Sequence, residues 1–156
     1  EIESYIAKRD CDFIKNYLEN IKREIQAYRE ILPFRIENSS NIYSQLLLEY
    51  YKVQVLAWEV GKDYEKCNSN YKTILYFIDE NCTLCIKQGE ELDKIRDYLI
   101  SKGIDVDIFT VGIKTNYALL DKIKKEFNIS SAPSFIFNSR TFNFTTFEDF
   151  KNSSVI

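Results

Sequence analysis

Hydrophobic periodicity changes once along this chain, near residue 71, and the change divides the fold into two differently built parts. Before it, Ala7, Cys11, Ile14, Leu18, Ile21, Ile25, Tyr28 and Leu32 follow one another at steps of four and three. That is the stripe of a helix lying along a partner. Lys15, Glu19, Lys22, Arg23 and Glu30 fill its other faces. Pro33 stops this helix or closes its last turn. The polar segment Arg35 to Asn41 follows, with Asn38, Ser39, Ser40 and Asn41 as capping candidates. A second helix is predicted from about Asn41 to Val60 or slightly beyond. Ile42, Leu46, Val53, Leu56 and Val60 share one face with Glu49, and Leu47, Tyr50, Trp58 and Gly61 form a second apolar strip. A short connection favours an antiparallel pair, so residues 1–70 read as a two-helix hairpin. Plain helix packing explains the stripes; a homodimer or partner-docking surface on the hairpin is the alternative.

The hairpin register brings two cysteines together. If Leu32 faces Ile42, paired residue numbers total about 74, which leaves Cys11 and Cys67 within roughly one helical turn of each other. A short loop absorbs such a slip, so a Cys11–Cys67 disulfide is expected. The alternative is two independent cysteines, one buried and one in a loop.

Beyond residue 71 the elements are shorter. Thr73 to Ile78 is an apolar run of strand formers, and Asp79, Glu80 and Asn81 break it. Cys82-Thr83-Leu84-Cys85 then opens a helical segment to about Ser101, with Ile86, Leu92, Ile95, Leu99 and Ile100 on its predicted buried side. Lys102-Gly103 ends it. A strand over Ile104 to Val111, a helix over Thr115 to Phe127 and a strand over Ser134 to Phe137 follow. A turn at Asn138 to Arg140, a strand over Thr141 to Thr145 and a short helix over Phe147 to Asn152 complete the chain. Residues 71–156 therefore read as an α/β domain, a mixed sheet flanked by helices.

The candidate site is the pair Cys82 and Cys85. A C-x-x-C spacing alone also occurs in zinc sites. Here it follows a buried strand and opens a helix, where unpaired backbone N–H groups and the helix dipole favour a thiolate on Cys82. Cys85 lies within reach to close an intramolecular disulfide. A zinc site would need Cys11 and Cys67 or carboxylates as further ligands, and neither has motif spacing; no metal is expected. A purely structural Cys82–Cys85 bridge is the other alternative.

The strand, the Cys82-Thr83-Leu84-Cys85 motif, the helix and the later Ser131-Ala132-Pro133-Ser134 resemble the thioredoxin superfamily over about residues 71 to 152. The resemblance implies that Pro133 follows a cis peptide bond and packs against the dithiol, and that the Ala132 backbone pairs with an extended substrate segment. It implies thiol–disulfide oxidoreductase activity on protein or small-molecule disulfides, with protein thiols and a redox partner protein as partners. It calls for no cofactor. Tyr76 stands where reducing thioredoxins carry a buried acid, and Thr83-Leu84 where they carry glycine-proline. An intermediate potential is expected, about −150 to −250 mV on the scale of dithiol proteins. A redox-inert binding or assembly module on the same fold is the alternative function.

Composition excludes other chemistry. The chain of 156 residues has no histidine, which removes the commonest metal ligand and the usual base near neutral pH. The formal net charge of −3 gives no electrostatic footing for nucleic acid. Four cysteines suffice for one redox pair and one bridge, and a second bridge points to an extracytosolic compartment: periplasmic, secreted or luminal. The absence of methionine reads as a mature or excised piece, with any signal or membrane anchor outside it. N-x-[ST] sequons at Asn38, Asn81, Asn128, Asn143 and Asn152 are compatible with export.

Overall fold

Helix α1 spans Ile2–Arg35 and helix α2 spans Ser40–Cys67. They belong to the unit Glu1–Ser69, and the remaining elements to the unit Asn70–Ile156, a division one residue ahead of the one read from the sequence. The computed structural model describes residues 2–35 and 40–153. Pro33 falls inside the last turn of α1. Of the capping candidates, Ser40 and Asn41 lie in α2, whereas Asn38 and Ser39 are outside the described residues, as is the Asn38 sequon.

The two helices are antiparallel. Cys11 is joined to Cys67 across a Cα–Cα distance of 5.6 Å, and the Tyr28 and Tyr50 rings lie 6.2 Å apart. Both pairs of residue numbers total 78, one helical turn from the register expected. The expected disulfide therefore forms, with Cys67 as the last helical residue. Helix α2 runs seven residues past Val60, and Gly61, placed on the second apolar strip, is buried inside it. Leu18, Ile21 and Ile25 are the buried heart of the α1 stripe. Of the two apolar strips expected in α2, the second holds the buried Trp58 and Gly61, while the first is only partly covered. Ile42 and Leu56 are exposed, while Val55, Ala57 and Trp58 are buried. Tyr50 and Trp58 carry more buriable surface than Ile42 and Leu56, so the aromatic strip sets which side is covered. The Arg29 Nε donates to the Tyr50 hydroxyl at 3.2 Å on the same side.

The second unit begins with β1, Tyr71–Ile78, followed by α3, Thr83–Ser101. Then come β2, Asp105–Gly112; α4, Ala118–Glu126; β3, Ser134–Phe137; β4, Arg140–Phe142; and α5, Phe147–Asn152. The four strands form one mixed sheet in the order β2-β1-β3-β4. β2 pairs parallel with β1, Ile74 opposite Ile108, which the α3 crossover makes possible. β3 runs antiparallel to β1, with Phe77 opposite Ser134, and β4 antiparallel to β3. Asn138 and Ser139 both adopt positive φ, at 50° and 61°, as a two-residue hairpin turn matching strand twist requires.

As a central strand, β1 is covered on both sides, which its nearly unbroken apolar run anticipates. Ile74 and Tyr76 pack with Leu92, Ile95 and Leu99 of α3, Phe135 and Phe137 of β3, and Phe150 of α5. Leu75, Phe77 and Ile136 supply the opposite face. Ile86 and Ile100, expected inward, are exposed at 71% and 51%. The buried stripe of α3 is instead Cys85, Gln88, Leu92, Ile95 and Leu99, and each isoleucine stands one position off it. Gly103 (φ 82°) ends the helix, its N–H donating to the Ile100 carbonyl at 2.9 Å.

Candidate functional site

The polar break after β1 aims the chain at the start of α3. Asn81 takes the left-handed conformation (φ 52°), one that asparagine tolerates better than most residues. Cys82 then occupies the N-cap with extended backbone angles, and its Sγ accepts the Cys85 N–H at 3.0 Å. The same N–H also reaches the Cys82 carbonyl at 3.1 Å. Sulfur thus takes the place of the oxygen that normally caps a helix. Cys82 and Cys85 form a disulfide with Cα atoms 5.2 Å apart.

The two sulfur-bearing residues are unequally exposed. Cys82 is half-buried, and Cys85 is buried at 7%. Leu84 and Ile86 stand out to solvent beside them. A cleft of about 570 Å³ opens at this point, lined by Tyr76, Asp79, Asn81, Cys82, Cys85 and Thr110 among others. Tyr76 forms part of its inner wall, and its hydroxyl donates to the Cys85 carbonyl. Burial pushes the Tyr76 phenol up to about 12, with the Gly89 backbone acting in the opposite direction. The phenol is a neutral donor across the whole physiological range.

Asp79 is the charged group of this wall. Its carboxylate accepts the Glu80 N–H at 2.8 Å and pairs with Lys114 at 3.2 Å. These contacts, the Glu80 N–H first, hold its carboxyl below the usual carboxylate range. A negative charge therefore sits on the cleft wall at every pH where thiols exchange.

Ala132 and Pro133 precede β3, and the bond between them is cis. Since Ser134 pairs with Phe77 near the end of β1, the Ala132–Pro133 segment lies at the same end of the sheet as the dithiol. Pro133 is buried and Ala132 half-buried. Cys11 and Cys67 belong to the helical hairpin, and both are bonded to each other. The described residues therefore hold no free cysteine.

Two features escaped the sequence reading. Gln88, fully buried one turn beyond Cys85, binds both backbone groups of Thr145. The Asp79–Lys114 pair joins the loops that follow β1 and β2. Gln88 had a visible signal, because a polar side chain on a buried helical stripe must find internal partners. Asp79 and Lys114 are 35 positions apart in sequence, and only the parallel pairing of β1 with β2 brings them together.

No protein-family description matches the chain, and no curated protein matches it. A solved structure described as "Structure of a malarial protein" is similar at 24% identity and a TM-score of 0.37, over 52% of this chain and 90% of that one. The site itself is a C-x-x-C disulfide on a mixed α/β domain, compatible with redox chemistry. Two disulfides in one chain suit an oxidising environment. Among the described residues no helix is long and apolar enough to cross a membrane.

Proposed function

We propose that this chain is a thiol–disulfide oxidoreductase with a thioredoxin-like second unit, working outside the cytosol on protein thiols and disulfides. The observation that carries the reading is the unequal Cys82–Cys85 pair at a helix N-terminus, both residues lining a cleft, Cys82 half-buried and Cys85 buried. The strand order β2-β1-β3-β4 and the position of Ala132–Pro133 at the dithiol end of the sheet support the thioredoxin-like assignment.

Cys82 is the attacking residue in this mechanism. In the reduced protein its thiolate, stabilised by the Cys85 N–H and the helix dipole, attacks one sulfur of a substrate disulfide. The substrate S–S bond breaks, and the departing thiolate keeps the electron pair and takes a proton from solvent. The Cys85 thiolate then attacks Cys82, which closes the internal bridge and releases the second substrate thiol. The substrate gains two electrons and the dithiol loses two. Run backwards, the same steps oxidise a substrate dithiol. The Ala132 backbone offers an extended substrate segment its hydrogen-bonding groups, with Pro133 beside it.

Equilibration of the Cys82–Cys85 pair against glutathione buffers tests the reading, together with Cys85→Ala. The pair is expected to equilibrate at about −150 to −250 mV, and Cys85→Ala to trap mixed disulfides through Cys82. A pair that stays oxidised below about −300 mV, with no trapped partner, would make the bridge structural and the domain a binding module.

A further inference from the structure

Cys85 is held at both of its backbone groups. Its N–H points at Cys82 Sγ, 3.0 Å away, and its carbonyl accepts the Tyr76 hydroxyl. Tyr76 sits in the central strand of the sheet, and only 6% of its surface is exposed. The first turn of a helix lacks the full set of internal hydrogen bonds and is the part that frays. Here the hydroxyl of a packed strand residue fastens that turn to the sheet. The link runs from β1 through the Cys85 backbone to the sulfur at the N-cap. A hydrogen bond to a thiolate lowers the thiol pKa only while the donor stays aimed at it.

We propose that Tyr76 is a positioning residue for the dithiol: by holding the Cys85 carbonyl it keeps the Cys85 N–H on Cys82 Sγ and so sets how readily Cys82 ionises. The role depends on the thiol–disulfide reading for its purpose, although its measurement does not. A phenol suits the task. It donates without bringing a charge into the wall that also holds Cys82, and burial keeps it protonated through the working pH range. A carboxylate at this place would oppose the thiolate by like charge.

The variant Cys85→Ala leaves Cys82 as the single thiol beside the Cys11–Cys67 bridge, and it preserves both backbone groups of position 85. The rate of iodoacetamide alkylation across pH then reports the acidity of Cys82 directly. Adding Tyr76→Phe is expected to move the profile to higher pH. Below both inflections the rate should fall about three- to tenfold, the range that one hydrogen bond commands. An unchanged profile overturns the proposal even if the melting temperature drops, because a loss of stability with no change in thiol acidity is what a merely structural hydroxyl would give. Fluorotyrosine at position 76, which keeps the ring and changes only the strength of the donor, serves if Tyr76→Phe does not fold, and an unmoved profile there overturns the proposal equally. Glutathione equilibration of the unmodified protein reports separately on the redox reading. A failure there leaves the alkylation result standing, and an unmoved alkylation profile leaves the exchange chemistry standing.

Discussion

The Gln88 side chain pairs with the backbone of Thr145 as a neighbouring strand would. Its Nε2 donates to the Thr145 carbonyl at 2.8 Å, and its Oε1 accepts the Thr145 N–H at 2.7 Å. One turn further along α3, Glu91 accepts the Phe147 N–H at 2.9 Å. The helix that carries the dithiol is thereby laced to the segment after β4 and to the first residue of α5.

Replacing Gln88 with alanine should be costly, because two part-buried backbone groups of Thr145 lose their partners at once. A loss of about 2–4 kcal/mol is expected, from roughly 1–3 kcal/mol for each unsatisfied buried group and partial rescue by water. Thr145→Ala should be much milder, since the bonds use only its backbone. Urea midpoints of the two variants decide the matter, and equal losses would mean that the amide is not the anchor.

Removing the Cys11–Cys67 bridge tests the hairpin. The bridge spans a sequence separation of 56, for which chain entropy gives about 4 kcal/mol of stabilisation at most. The variant Cys11→Ala with Cys67→Ala should unfold its helical pair at clearly lower denaturant. Glutathione equilibration of Cys82–Cys85 should stay close to that of the unmodified protein. A large change in that potential would contradict a purely structural role for the first bridge.

Tyr76 predicts an alkaline signature. Its folded pKa, at about 12, lies above the ordinary tyrosine value, so the folded state keeps the proton that the unfolded state gives up. Its contribution to stability is full below about pH 10 and is lost as pH rises towards 12. Titration of phenolate absorbance should show a late-ionising tyrosine that Tyr76→Phe removes. The same variant should flatten part of the fall in stability over that interval. A titration curve without a late component would rule out the buried donor.

Asp79 should act on Cys82 through charge. It remains ionised below the usual carboxylate range, so Asp79→Asn removes a negative charge from the cleft wall throughout the range of thiol exchange. A lower Cys82 pKa is expected, with exchange against anionic glutathione several-fold faster at low ionic strength. Added salt should shrink the difference between the two proteins. Rates that ignore both the substitution and the salt would show that Asp79 lies outside the electrostatic reach of Cys82.

Much of this architecture was legible because strong patterns coincide with strong physics. The step from helical spacing to strand-length runs near residue 71 marks where the sheet begins, and the Ser134–Phe137 strand and Phe147–Asn152 helix fall where the sequence puts them. Local rules failed where a distant partner intervened. The fourth strand stops at Phe142 instead of Thr145 because Gln88 captures the Thr145 backbone. Ile86 and Ile100 look like core residues until the phase of α3 is fixed by Leu92, Ile95 and Leu99 together. In α2 both apolar strips are visible in the sequence, but which of them is covered depends on the area of Trp58, buried where Ile42 and Leu56 are exposed. The Tyr76 hydroxyl contact could not be read from sequence, since it depends on how far α3 sits along β1.

The Cys11–Cys67 bond also changes the connectivity of the polypeptide. With the intervening chain it makes a closed ring that contains most of both long helices. A single peptide bond cut anywhere between those cysteines opens the ring without dividing the protein, which migrates as one species on a denaturing gel until a reductant is added. Two breaks, one in the peptide chain and one in the disulfide, are thus needed in either order before the first helix can leave the rest of the chain.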